Sequence, residues 1–147
     1  MTVITTFTEK RREKQIKYER SILRELSIKM LKNKFQDFFG EIRLNNRFWL
    51  RSGIEEACYD IAIEAFLLGA KMSKFGYYGE SIDIVRLRCE RELKHFIETL
   101  YNFFLYWGNG EEGIFSESLY YLCEQYAEYW WREGFIKGER RRKLRLH

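Results

Sequence analysis

The sequence predicts an all-α protein: a helical bundle of about four helices, with a long N-terminal helix and antiparallel packing. Three observations lead there. The 147 residues contain no proline, the residue that most often punctuates loops and breaks helix interiors. Apolar residues recur at threes and fours over long stretches, and the stretches are separated by glycine-rich or asparagine-rich breaks. A hydrophobic fraction of 46%, including 18% aromatic residues, excludes global disorder and supplies the core of one domain spanning 1–147.

The first helix is expected from Glu9 to Phe39, where Ile16, Leu23, Leu26, Met30 and Phe38 mark one apolar stripe and Gly40 a stop. A connector, 41–51, carries the turn-prone pair Asn45-Asn46. Ser52-Gly53-Ile54-Glu55 has capping-box spacing and is expected to open a second helix, which runs to the Gly76–Gly79 break. The third helix is expected from Glu80 to Trp107. A fourth begins between Glu111 and Ser116 and continues into the basic end. Short joints between four such helices suit antiparallel neighbours.

A weak internal echo links the second and fourth helices at an offset of 65 residues. Cys58, Ala62 and Gly69 match Cys123, Ala127 and Gly134. Glycine within a helix costs about 1 kcal/mol relative to alanine, so its recurrence predicts tight helix crossings. The small residues Ala65, Gly69 and Ser73, with Gly134 and Gly138, predict close packing in the bundle.

Several chemistries are excluded on context. Gly108-Asn109-Gly110-Glu111-Glu112-Gly113 fits the dinucleotide-loop pattern in letters only, because no strand precedes it and two glutamates would repel phosphate. Glu92 and His95 have di-iron spacing, but a second such pair is missing; Asp60, Glu64, Glu124 and Glu128 are four apart in pairs and could complete an oxygen-rich site, while Glu56, Asp60 and Glu64 also read as a solvated stripe. Glu80 and Asp83 stand alone as a magnesium pair. Only His95 could serve as an internal imidazole base. No catalytic, metal-binding or cofactor-binding residue is expected. Three cysteines without a Cys-x-x-Cys pair, no signal-peptide pattern and no apolar run beyond the twelve residues of Phe96 to Trp107 lead to a reduced, cytoplasmic protein without membrane insertion.

Two features remain for function. The net charge is +4, yet 140–147 holds five cations and no acid: Arg140, Arg141, Arg142, Lys143 and Arg145. A shorter cluster, Lys10-Arg11-Arg12-Glu13-Lys14, lies near the other end. The fourth helix also carries a dense aromatic run, and adjacent residues on a helix point about 100° apart. Part of that run is therefore expected at the solvent boundary. Tyr126, Tyr129, Trp130, Trp131 and Arg132 are the expected interface anchors for a protein partner or self-association. Core filling and stacking of nucleic-acid bases are the competing roles for the same aromatics.

The segments Lys17-Tyr18-Glu19-Arg20, Leu23-Arg24-Glu25-Leu26, Lys34-Phe35-Gln36-Asp37-Phe38-Phe39 and Glu133-Gly134-Phe135-Ile136-Lys137-Gly138 resemble a YbaK-like family of uncharacterised proteins from Bacillus-type bacteria. It is unrelated to the tRNA-editing protein that shares the label. The resemblance implies a cytoplasmic, all-helical protein of a low-GC Gram-positive bacterium and supplies no activity. The combined expectation is a non-enzymatic protein that binds a protein partner or itself as adaptor, regulator or homo-oligomer. Nucleic-acid binding through the basic termini is the alternative, and a metal-dependent helical enzyme the third.

Overall fold

The structure, a computed structural model, describes residues 3–40, 48–107 and 117–144. Within them lie six helices and no strand: α1 (Val3–Leu23), α2 (Ile28–Phe39), α3 (Phe48–Tyr77), α4 (Ile82–Arg88), α5 (Glu90–Trp107) and α6 (Glu117–Lys143). The all-α class holds and the count of four does not. The expected first helix divides at 24–27, where Ser27 takes an extended backbone and its hydroxyl accepts the Met30 N–H at 3.1 Å, capping α2. The expected third helix divides at Cys89, whose N–H bonds back to the Arg86 and Leu87 carbonyls. Ser52 and Glu55 lie inside α3 rather than at its start. The Asn45-Asn46 turn, the Gly108–Gly113 motif, Arg145 and His147 lie outside the described residues.

Antiparallel packing is also corrected for the central pair, α3 and α6, which form the largest helix–helix interface. The Tyr126 hydroxyl donates to the Cys58 carbonyl at 2.9 Å. A methyl group on Gly134 would strike the Phe66 carbonyl, and one on Gly138 would lie 2.9 Å from the Ala70 Cα. Arg142 Nε donates to Ser73 Oγ at 2.8 Å. Both residue numbers rise together along the contact, so the two helices run parallel.

The 65-residue echo reappears in this contact. Gly69 would meet the Trp131 carbonyl just as Gly134 meets that of Phe66, and Phe66 and Trp131 are themselves 65 apart. The contact is reciprocal, as across a two-fold axis. Phe39 and Phe104, another matched pair, pack as tilted rings with centroids 4.9 Å apart. The breaks after α1 and α4 fall at matching places, so α2–α3 and α5–α6 are two copies of one unit. Two parallel copies need glycine where their backbones touch, and the expected tight crossing is found there. The core runs through both copies, from Ile22, Phe35 and Ile54 to Leu119, Trp130 and Phe135.

Candidate functional site

Helix α1 stands apart from this core over its first half. From Phe7 to Lys17 every residue is exposed, about three turns of helix with no buried face. Strong helix formers, Glu, Lys, Arg and Gln, hold the segment together locally, with Gln15 donating to Glu19 at 3.1 Å. The second half is docked: Ile22 is fully buried, and the Tyr18 hydroxyl donates to the Ala70 carbonyl of α3 at 3.0 Å.

The end of α6 clamps that docked half. Arg142 lies 5.0 Å over the Tyr18 ring while it bonds Ser73, and the buried Ser73 hydroxyl donates in turn to the Ala70 carbonyl. Arg141 donates to the Ser21 hydroxyl and lies 3.7 Å from a Glu25 carboxylate oxygen. Between α1 and α6 opens a groove of about 720 Å³ lined by Arg11, Lys14, Gln15, Lys17, Tyr18 and Arg142. Among the described residues its lining has four cations and no carboxylate. Arg11, Lys14, Gln15 and Tyr18 follow the three-four spacing of one helix face; the sequence alone did not join them to Arg142, 124 residues past Tyr18.

The residues singled out from sequence are distributed unevenly. Tyr121 of the aromatic run is 60% exposed, so part of the run does lie at the solvent boundary, whereas Tyr126 and Trp131 are 0% and Trp130 1% exposed, which corrects their expected role as interface anchors. The cause is the central position of α6. Trp131 stacks on Phe135, Trp130 packs edge-on against Phe66 of α3, and Tyr126 meets Phe38 and Phe39 of α2. Tyr129 is half-buried beside Phe38, with the Lys34 ammonium 4.7 Å from its ring centroid. Arg132 forms an open ion pair with Asp83 at 3.3 Å. Of the basic run, Arg141 and Arg142 turn inward as clamps, Lys143 pairs with Glu139 at 3.1 Å, and Arg140 is exposed.

The buried polar groups have the chemistry of a core. Burial pushes the Cys58 thiol well up and Cys123 to about 12, and it raises Cys89 as well; all three are free. Burial, reinforced by the Glu55 carboxylate, lifts the Tyr59 hydroxyl to about 12. Such thiols are poor nucleophiles, since the thiolate is the reactive form. Among the described residues no group of three His, Cys, Asp or Glu side chains is placed to hold a metal ion; Glu92, His95, Asp60 and Glu64 are exposed, and Glu128 pairs with Arg86. No described helix is long and apolar enough to cross a membrane.

The whole chain, residues 1–147, matches the family described as "Protein of unknown function (DUF2521)". The chain belongs to that family. It is also 30% identical over 149 residues, covering 99% of both chains, to "Uncharacterized protein YbaK" of Bacillus subtilis (strain 168). The resemblance read from the charged and aromatic segments is therefore correct. No solved structure matches the chain.

Proposed function

We propose that this chain is a non-catalytic binding protein, an adaptor or regulator, whose working surface is the basic corner where α1 meets the end of α6. One observation carries the reading. Cations more than 120 residues apart in sequence, Arg11, Lys14 and Lys17 of α1 and Arg142 of α6, line a single groove. The folded core needs little of the first half of α1, which buries nothing between Phe7 and Lys17. An isolated helix of three turns is marginal in water, so a partner that lies along it gains a surface and stabilises it. Capture from the source cells at low salt tests this, with tagged protein compared against its Lys10→Gln/Arg11→Gln/Arg12→Gln/Lys14→Gln variant. The variant is expected to lose the bound macromolecule. The same macromolecules, recovered in the same amounts with both proteins, overturn the reading.

Self-association is a second reading, favoured by one face of α5. Thr99, Asn102, Phe103 and Tyr106 line a shallow groove of about 440 Å³, and Tyr106 is 78% exposed. Light scattering across a concentration series is expected to show a dimer that Phe103→Ser/Tyr106→Ser converts to monomer. A wild-type monomer at every concentration overturns it.

A further inference from the structure

We infer that the groove between α1 and α6 binds single-stranded nucleic acid through its phosphate backbone, an inference that rests on the basic corner being the working surface. The lining is a linear array rather than a closed cage. Arg11, Lys14 and Lys17 rise along α1 over about 9 Å, and Arg142 faces them from α6. Each strand of a nucleic acid carries one charge per about 3.4 Å of rise in a duplex, so an array of this length meets several phosphates of one strand. A small free anion would engage only part of it.

The groove also lacks what a folded protein partner uses. Protein hot spots are aromatic or arginine anchors seated in desolvated pockets. Here the aromatic, Tyr18, spends its hydroxyl on Ala70 and its face on Arg142. What remains is charge on long flexible stems, which suits contacts that position a backbone without reading sequence. Phe7 continues the stripe one turn before Arg11 and is 61% exposed. It offers a flat face on which a base can stack, and stacking beside a cationic track is the single-strand mode of binding. The groove is concave, with α1 on one side and Arg142 of α6 on the other, so a strand laid in it meets cations from two helices.

The test uses the full chain and a fluorescent single strand of about 20 nucleotides of mixed sequence, with anisotropy read between about 50 and 200 mM salt. Four neutralised phosphates predict a log–log slope of affinity on salt near −2.8, at about 0.7 per phosphate. Arg11→Gln/Lys14→Gln, at exposed positions, is expected to weaken binding at least about tenfold at low salt and to flatten the slope by about 1.4. Lys29→Gln/Lys32→Gln on the exposed side of α2 removes the same charge elsewhere and is expected to leave the slope unchanged. Phe7→Ala is expected to weaken binding without changing the slope. Absence of binding at low salt overturns the inference, as does equal weakening by the α2 pair. Tighter binding of the matching duplex overturns the single-strand assignment. Equal competition by polyglutamate overturns nucleic acid as the ligand and leaves the basic corner as a surface for acidic proteins. If the four-residue variant still captures the same macromolecules, the parent reading falls whichever polymer was bound.

Discussion

The two halves of this protein are built alike and end differently. In both, a capped or kinked helix, α2 or α5, leads into a long helix, α3 or α6, and the two long helices meet at matched glycines. What precedes each copy differs: α4 has 7 residues and α1 has 21. The seven residues 17–23 at the end of α1 stand where α4 stands in the second copy. The turns before them have no counterpart there, and they carry Arg11 and Lys14, two of the four cations of the groove; Lys17 and Arg142 come from the matched segment and from the end of α6. The shared parts make the core, and the added turns complete the candidate site along its edge. Duplicated structure is constrained by its own interface, whereas an added segment that buries nothing is free to take on a ligand.

The largest test of this division lies at the shared glycine crossing and the rings beside it. Trp131→Ala and Phe66→Ala occupy matched positions and are each expected to cost about 4 kcal/mol, as large core truncations do, measured by urea unfolding. A loss in one and not the other would break the two-fold relation. Gly69→Ala and Gly134→Ala are each expected to cost about 3 kcal/mol, because the added methyl meets backbone that cannot rotate away.

Smaller effects are expected where α1 is clamped. Arg142→Met removes the bond to Ser73 and the contact over Tyr18. It should cost about 1–2 kcal/mol and should speed amide exchange in residues 17–23 while leaving α3 protected. Uniform exchange across the fold would show that the clamp belongs to the core. Removal of residues 1–14, which reach no buried contact between Phe7 and Lys14, is expected to change stability by less than about 0.5 kcal/mol.

The alkaline limb of stability sharpens the same contrast. The folded chain holds the Cys58 and Cys123 thiols protonated, with Cys123 raised to about 12 from a reference of 9.0. A raised folded value favours the unfolded chain once the unfolded thiol ionises. The stability is therefore complete below about pH 9 and falls between about 9 and 12, by up to about 1.4 kcal/mol per pH unit for each thiol. Cys123→Ala should make that limb shallower, and a thiol reagent at pH 8 should label none of the three until the chain unfolds.

The all-helical class was legible because periodicity and the absence of proline act locally. Gly69 and Gly134 were legible as crossing points because glycine in mid-helix has a cost that only packing offsets. Parallel packing was not read, since short joints by themselves suggest antiparallel neighbours and a 65-residue echo is compatible with either direction. Ser27 was missed as a cap because its partner three residues on is Met30, not an acid that would complete a capping box. Trp130 and Trp131, pointing about 100° apart, were not expected to be buried together, yet both are. Helix α6 is surrounded, with α2 and α3 on different sides, and a central helix buries more than a stripe. The basic tail read as one patch, yet Arg141 and Arg142 turn inward, because their long stems reach Ser21 and Ser73 from the last turn of α6.

The parallel pairing of α3 with α6 also orders events in time. Phe66 waits for Gly134, and Tyr18 waits for Arg142, so the decisive contacts span roughly half to nearly all of the chain. Local helices form in about a microsecond, but contacts this distant in sequence slow the final assembly. On the ribosome α3 emerges with its glycine face uncovered and stays so until α6 arrives. Arg141 and Arg142, synthesised after α2 to α5, fasten α1, so the earliest of these helices is the one that waits longest for its clamp.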